Sequence, residues 1–331
     1  MSVQRPESIP WNPQNTIFPS RKSLPSLPNA PKDAAWVWGK NDQLGRVNLL
    51  TPERIREAAS YIRTGEVAVL KLIPLFHREQ FIHEIKSTVP ETAFDDIFYM
   101  NTQISSQWDG LRHMAHVDSK TFYNGAKTHN FIGPDADSTS CSIHHWASHG
   151  IVGRAVLLDY WGYSQKIGIT FDHYTAHEIT YRDLEQCGKW QGLDIRPTSQ
   201  GGDIEVGDIL LLRTGFIASY NTKDPGEREV AASKPFSEQE FAGLSREESI
   251  LDWLHDCYFA AVAGDAPAFE AWGTKQSTEG LTYLHEAILA LWGMPLGELW
   301  DLEVLARMCR EQERWIMFLT SSPANVHGAP S

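Results

Sequence analysis

The chain has 331 residues, 42% of them hydrophobic, enough to pack a substantial core as one large domain or two small ones. Its formal net charge is −13 and no Lys/Arg-rich run occurs, whereas nucleic acid or an anionic membrane surface would need clustered cations, so neither partner is expected. No stretch approaches the roughly 18 apolar residues of a membrane span and the start has no apolar signal core, so a cytoplasmic protein is expected.

Residues 1–33 are rich in Pro, Ser and Asn and follow neither hydrophobic period. They are expected to form an extended N-terminal arm that could lie across a neighbouring subunit. No internal repeat or linker interrupts residues 35–325, so residues 34–331 are expected as a single domain. In "TPERIREAASYIRTG", Thr51 as N-cap, Pro52 at the first helical position and Gly65 as a stop predict a helix. Short apolar runs follow at 67–75, 154–160, 208–216, 259–265 and 315–323, whose length and branched residues predict buried strands. Between them, "SIHHWASHGIVG" (142–153) reads as a helix packed on the sheet. "SREESILDWLHDC" offers a capping box from Ser245 to Glu248. "LTYLHEAILALWG" sets Leu281, Leu284, Ile288 and Leu291 on one helical face before Gly293. Residues 221–245, polar and charged, resemble a surface insertion or lid. Cys141, Cys187, Cys257 and Cys309 are far apart and fit reduced thiols better than a disulfide framework. The fold class is α/β, a mixed β-sheet core packed with surrounding helices.

The densest chemistry lies in "TQISSQWDGLRHMAH" (102–116). Gln103, Gln107, Asp109 and His113 are all odd-numbered and would point to one side of an extended segment. A straight strand would spread them over about 33 Å, so convergence needs a bend, and Gly110 is the natural place. Spacing alone fits a polar strand-to-loop junction equally well.

The stretch resembles the signature H-x-G-T-H-x-D-x-P-x-H of the cyclase family that includes bacterial kynurenine formamidases and isatin hydrolases. Aligned without gaps, the two leading His fall on Gln103 and Gln107, the Gly-Thr pair on Ser105 and Ser106, the Asp on Asp109, the Pro on Leu111 and the last His on His113. "GIVGRAVLLDY", "VGDILLLRTGF", "AAVAGDAPAFEAWG" and "LHEAILALWGMPLGELWDLEVLA" resemble later family blocks in the same order. The likeness spans roughly residues 65–323, and the "QWDGLRH" wording resembles a divergent branch seen in fungi and some bacteria.

The resemblance implies the cyclase fold and a metal-dependent hydrolase of an amide, lactam or lactone in a small, aromatic molecule. It implies that Asp109, His285 and Glu298 bind a divalent metal and that His113 is the general base. Gln103 and Gln107 would then be ligands with harder oxygen donors, shifting preference from Zn2+ toward Mn2+ or Mg2+. Arg112 could hold a substrate carboxylate, with Trp108 and Tyr123 as substrate contacts that have an equally good place in the core. His173 and His177 in "FDHYTAHE" read as structural. No GxSxG elbow and no Walker A loop is present. The alternatives are a metal-independent cyclase or dehydratase using His113 and His116 as acid and base, or a non-catalytic ligand-binding member. A homodimer or homotetramer is expected.

Overall fold

The computed structural model describes residues 11–68, 79, 81–134, 139–273 and 283–331. Most of the expected strand at 67–75 lies outside these. The strands, in chain order, are β1 (Ile82–Val89), β2 (Ala93–Tyr99), β3 (Gln107–Asp109), β4 (Ile151–Leu158), β5 (Glu178–Ile179), β6 (Ile209–Leu212), β7 (Gly243–Leu244), β8 (Ala261–Gly264), β9 (Leu296–Glu298) and β10 (Ile316–Ser321). The helices are α1 (Pro52–Ala59), α2 (His144–His149), α3 (Tyr160–Lys166), α4 (Tyr181–Gln191), α5 (Phe216–Thr222), α6 (Pro225–Ala232), α7 (Glu248–Asp256) and α8 (Glu303–Gln312), with a π-helix at Glu286–Leu291.

The main sheet has the order β10-β4-β6-β8-β9-β3. Strands β4, β6, β8 and β9 run parallel, while β10 and β3 close the two edges antiparallel. The sequence "ILLL" of β6 is buried at every position, as a strand covered on both faces requires. Helix α1 packs on β4 and β10, and α4 packs on β4 beside α3 and α7. The sheet is curled enough that its edges meet: the indole N–H of Trp108 on β3 donates to Ser321 Oγ at the end of β10, at 2.9 Å. A cavity of about 800 Å³ lies in this region, lined in part by Trp108, Trp300, Met308 and Phe318.

Several local expectations are met and others corrected. Thr51 caps α1 by accepting from Arg54 N, but the helix ends at Ala59, well before Gly65. The capping box at Ser245 does not form. Ser245 N donates to Ile179 O, which draws that residue into the β5–β7 pairing, and α7 starts later with Glu247 as its N-cap. Of the expected arm, residues 1–10 lie outside the described residues, and parts of 11–33 pack on the rest of the chain. Phe18 stacks on Tyr258 at 4.6 Å, and Arg21 pairs with Asp33, Asp252 and Glu248. The hairpin of β1 and β2 was not foreseen, and its residues are exposed almost throughout. All four cysteines are free and buried. Among the described residues, no helix is long and apolar enough to cross a membrane.

Charged groups also tie the layers. Asp159, which follows β4 and is fully buried, accepts from Arg213 at 2.7 Å and from Arg310 of α8 at 2.6 Å, and Arg213 in turn pairs with Glu303 at 2.7 Å. Removing one partner of such a cluster strands the others. Arg213→Met is therefore expected to destabilise the fold by about 3–5 kcal/mol, read as a shift in the urea unfolding midpoint, and an unshifted midpoint would show that Arg310 alone satisfies Asp159.

Candidate metal centre

The centre is built on a register. On β3, Gln107 lies directly opposite Glu298 of β9, and Asp109 opposite Leu296. Opposed side chains of an antiparallel pair share a face, so Gln107 and Glu298 meet, and Gln107 Nε2 donates to Glu298 Oε2 at 3.0 Å. Asp109, two residues along, joins them on that face and is fully buried. Gln103 sits in the short helical turn Thr102–Ile104, capped by the Asn101 side chain, and its Nε2 donates to Asp109 Oδ1. The motif thus bends twice and does not run straight.

His285 enters from just ahead of the π-helix, a geometry often found at functional sites. Its Nε2 is 3.0 Å from Glu298 Oε1 and 3.9 Å from Asp109 Oδ2. One ligand atom each from Asp109, His285 and Glu298 lies within 4.8 Å of the others, and all three residues are buried. Behind the ring, Nδ1 donates to Glu270 Oε2 at 2.7 Å. A carboxylate in that position fixes the tautomer and orientation of a ligating imidazole. Glu270 escaped the sequence reading, although an acid flanked by apolar residues in "PAFEAW" was a legible sign of a buried, partnered group.

His113 stands at the rim with 28% of its side chain exposed, Nδ1 3.6 Å from Asp109 Oδ1. The other expected site residues lie elsewhere. Trp108 points to the opposite face of β3 and packs edge-on against Trp300 at 4.8 Å. Tyr123 is fully buried with its hydroxyl donating to Asp42 at 2.8 Å, which makes it a core residue and not a substrate contact. Arg112 donates to the Ser140 and Gly328 carbonyls, both at 2.7 Å, and its guanidinium covers the Phe131 ring. His116 pairs through Nδ1 with Ser119 at 3.0 Å. Its neighbour Val117 donates from its backbone to Glu286, beside His285. Neither Asp109 nor His285 lines the large cavity. His173 is buried between Trp161 and Phe171, as the structural reading expected.

Two buried acceptors, Asp109 Oδ2 and Gln107 Oε1, have no hydrogen-bond partner among the described residues. Orphaned acceptors beside a carboxylate and an imidazole nitrogen are what a divalent cation would satisfy, and the set of carboxylate, amide oxygen and imidazole donors suits such an ion. The charge agrees. Fully ionised, Asp109, Glu270 and Glu298 surround one imidazole, leaving a net deficit of positive charge in a buried space.

Protonation follows from the same crowding. Burial works against the charged imidazole of His285, but the Glu270 and Glu298 carboxylates overcome it and hold its pKa well above the ordinary value. Burial first, and the Asp109 carboxylate second, push the Glu298 carboxyl well above the carboxylate range. Glu270, opposed by burial, is held low by its pair with His285.

The fold and centre together define an α/β protein with a buried acid–imidazole cluster suited to a divalent cation. The family described as "Putative cyclase" matches residues 70–271, more than half of the chain, and the protein belongs to that cyclase family. The matched span contains Asp109, His113 and Glu270 and ends before His285 and Glu298. A crystal structure of a novel cyclase is 29% identical with a TM-score of 0.73, covering 90% of this chain and 94% of that one. Isatin hydrolase A from Labrenzia aggregata, bound to benzyl benzoate, is 12% identical with a TM-score of 0.48, covering 83% of this chain and 94% of that one. Isatin hydrolase A from Ralstonia solanacearum is 13% identical with a TM-score of 0.48, covering 85% and 94%. No curated protein matches the sequence.

A pH dependence follows. The raised pKa values mean that folded His285 and Glu298 hold protons more tightly than the unfolded chain does. In the metal-free protein their stabilising contribution is full below the ordinary values of 4.5 for Glu298 and 6.5 for His285, and is lost as pH rises through the raised ones. Ligands must be deprotonated, so Mn2+ binding should release about one proton or more and tighten about tenfold per pH unit per proton released between about pH 6 and 8. Calorimetric titration in buffers of different ionisation enthalpy measures this, and a pH-independent affinity would contradict it.

Proposed function

We propose that this cyclase-family protein is a metal-dependent hydrolase that opens an amide, lactam or lactone bond in a small aromatic molecule. The observation that carries the proposal is the pair of buried, unpartnered acceptors, Asp109 Oδ2 and Gln107 Oε1, set beside His285 and Glu298. A divalent cation, when bound, supplies Lewis acidity that polarises a carbonyl and lowers the pKa of a water from 15.7 toward about 7. Asp109, His285 and Glu298 would hold it, with Gln107 as an oxygen donor and Gln103 keeping Asp109 in place.

The protein's own residues do the rest. His113, with Nδ1 3.6 Å from Asp109 Oδ1 and 28% of its side chain exposed, can take the proton of the attacking water and return it to the leaving nitrogen or oxygen. Glu270 keeps the His285 tautomer fixed through the step. Partly buried Trp272 and Tyr283, with ring centroids 5.6 Å apart, stand two residues in sequence from Glu270 and His285 and could offer aromatic surface to a substrate.

In a panel of aryl amides, lactams and lactones, exhaustive chelation is expected to abolish turnover and Mn2+ to restore it. His113→Ala should lower turnover by about 10²-fold or more with metal content intact. Turnover by metal-free protein would end the proposal, and joint loss of metal and activity in His113→Ala would make His113 a ligand or a fold determinant. Separately, Gln107→His is expected to tighten metal binding and move preference toward Zn2+, since imidazole suits zinc better than an amide oxygen does; competition between Zn2+ and Mn2+ at equilibrium measures the shift.

A further inference from the structure

Where the chain leaves β10 it returns to the candidate centre, and the contacts it makes there are specific. Pro330 O accepts from Gly110 N at 2.9 Å, and Ala329 O from Ile143 N at 3.0 Å. Gly328 O accepts from Arg112 Nη1 at 2.7 Å, and Gly328 N donates to Ser142 Oγ at 2.8 Å. Ser331 Oγ and Thr102 Oγ share a hydrogen bond of 2.6 Å, and Ser331 is buried. The His327 ring stacks on His144 with centroids 4.1 Å apart. Thr102, Gly110 and Arg112 are interleaved with Gln103, Gln107, Asp109 and His113 in one stretch of the chain.

Resting on the metal-centre proposal above, we infer that residues 327–331 are a strap that holds the Asp109–His113 turn in its metal-binding geometry. Three features point to support from behind. Gly110 N belongs to the peptide plane that contains the Asp109 Cα, so its bond to Pro330 fixes that plane two bonds from that Cα. Gly110 O accepts from His113 N at 2.9 Å, so the same residue closes the turn that carries His113. A Cβ on Gly110 would lie 2.3 Å from Pro330 O, and Gly110 is not among the glycines with positive φ. The residue after Asp109 is glycine because the strap passes there, not because the backbone needs a left-handed bend. None of the strap's hydrogen bonds given above goes to the side chains of Asp109, His285 or Glu298, so it braces the centre without filling it.

The strap can be loosened from its own side. Gly328 has φ +82 and open space around its Cβ position, with Arg112 3.9 Å away. A β-branched residue is strained there, whereas asparagine tolerates it. In the full chain, Gly328→Val is expected to speed hydrogen exchange at the Gly110 and His113 amides by about tenfold or more and to weaken Mn2+ binding by about 10- to 100-fold, the range for an outer-shell support. Gly328→Asn should leave both within about threefold of the parent. The inference is overturned if Gly110 and Ile143 amides are unprotected in the parent, or if Gly328→Val frees the Gly110 amide while His113 exchange and Mn2+ affinity stay unchanged. A parent that binds no Mn2+ refutes the metal proposal instead. The strap then stands or falls on whether Gly328→Val accelerates His113 exchange.

Discussion

The antiparallel register between β3 and β9 is the constraint on which the centre depends. These strands have three residues each, and they bring Gln107 opposite Glu298 across 191 positions of sequence. A slip of one residue would turn Gln107 and Asp109 to the face that Trp108 now occupies, exchanging a polar cluster for an indole. The register is pinned from both faces. On one, the amide of Gln107 bonds the Glu298 carboxylate; on the other, Trp108 packs on Trp300 and reaches Ser321. Gly297, opposite Trp108, has no room for a Cβ, which would meet Ala263 Cβ at 2.7 Å. The centre is placed at a sheet edge by pairing that has little length to draw on, which is why packing and side-chain bonds must fix it.

Burial then sets the chemistry. Three carboxylates with almost no solvent contact are costly to keep near one another, and the chain answers with the imidazole of His285 and the amides of Gln103 and Gln107. This explains why His285 has a carboxylate on each ring nitrogen and why Glu298 is pushed toward its neutral form. It would also tie cation binding to pH, since a cation held here would take the place of protons. A structural ion pair such as Asp159 with Arg213 differs in kind. There every carboxylate oxygen already has a donor, and nothing is left over for a ligand.

Much of the fold was legible in the sequence for a simple reason. Strands β6, β8 and β10 lie within the apolar runs at 208–216, 259–265 and 315–323 and β4 overlaps the run at 154–160, although β10, at the sheet edge, is only partly buried; Asp109, His285 and Glu298 came through the family resemblance. The illegible parts have physical causes. Strands β3 and β9 are too short to show a period, and the exposed hairpin β1–β2 has no buried face to write one. The Ser245 cap failed because its N–H was claimed by Ile179, a partner 66 residues away. Tyr123 and Trp108 carried the residue types of a binding site, yet tertiary packing used their volume. The reach of the terminal segment back to Gly110 could not be read at all, because a glycine demanded by close approach is indistinguishable in sequence from one demanded by a turn.

The two glutamines show how an amide side chain can serve a crowded acidic cluster. An imidazole offers a metal one nitrogen and needs its other nitrogen anchored by a partner, as Glu270 anchors His285. A glutamine carries both functions on one group, since its oxygen can face a cation while its amide N–H bonds a neighbouring carboxylate. Gln107 has this arrangement, with Nε2 on Glu298 and Oε1 buried beside the cluster without a donor. Gln103 is turned the other way in effect, since its Nε2 serves Asp109 and its Oε1 receives the Gln107 amide at 3.4 Å. The pair therefore forms a relay of amides that hydrogen-bonds the buried carboxylates and leaves one oxygen, that of Gln107, without a donor. An amide is a harder, weaker donor than an imidazole, so a cation held here would meet oxygen at this position and nitrogen only from His285.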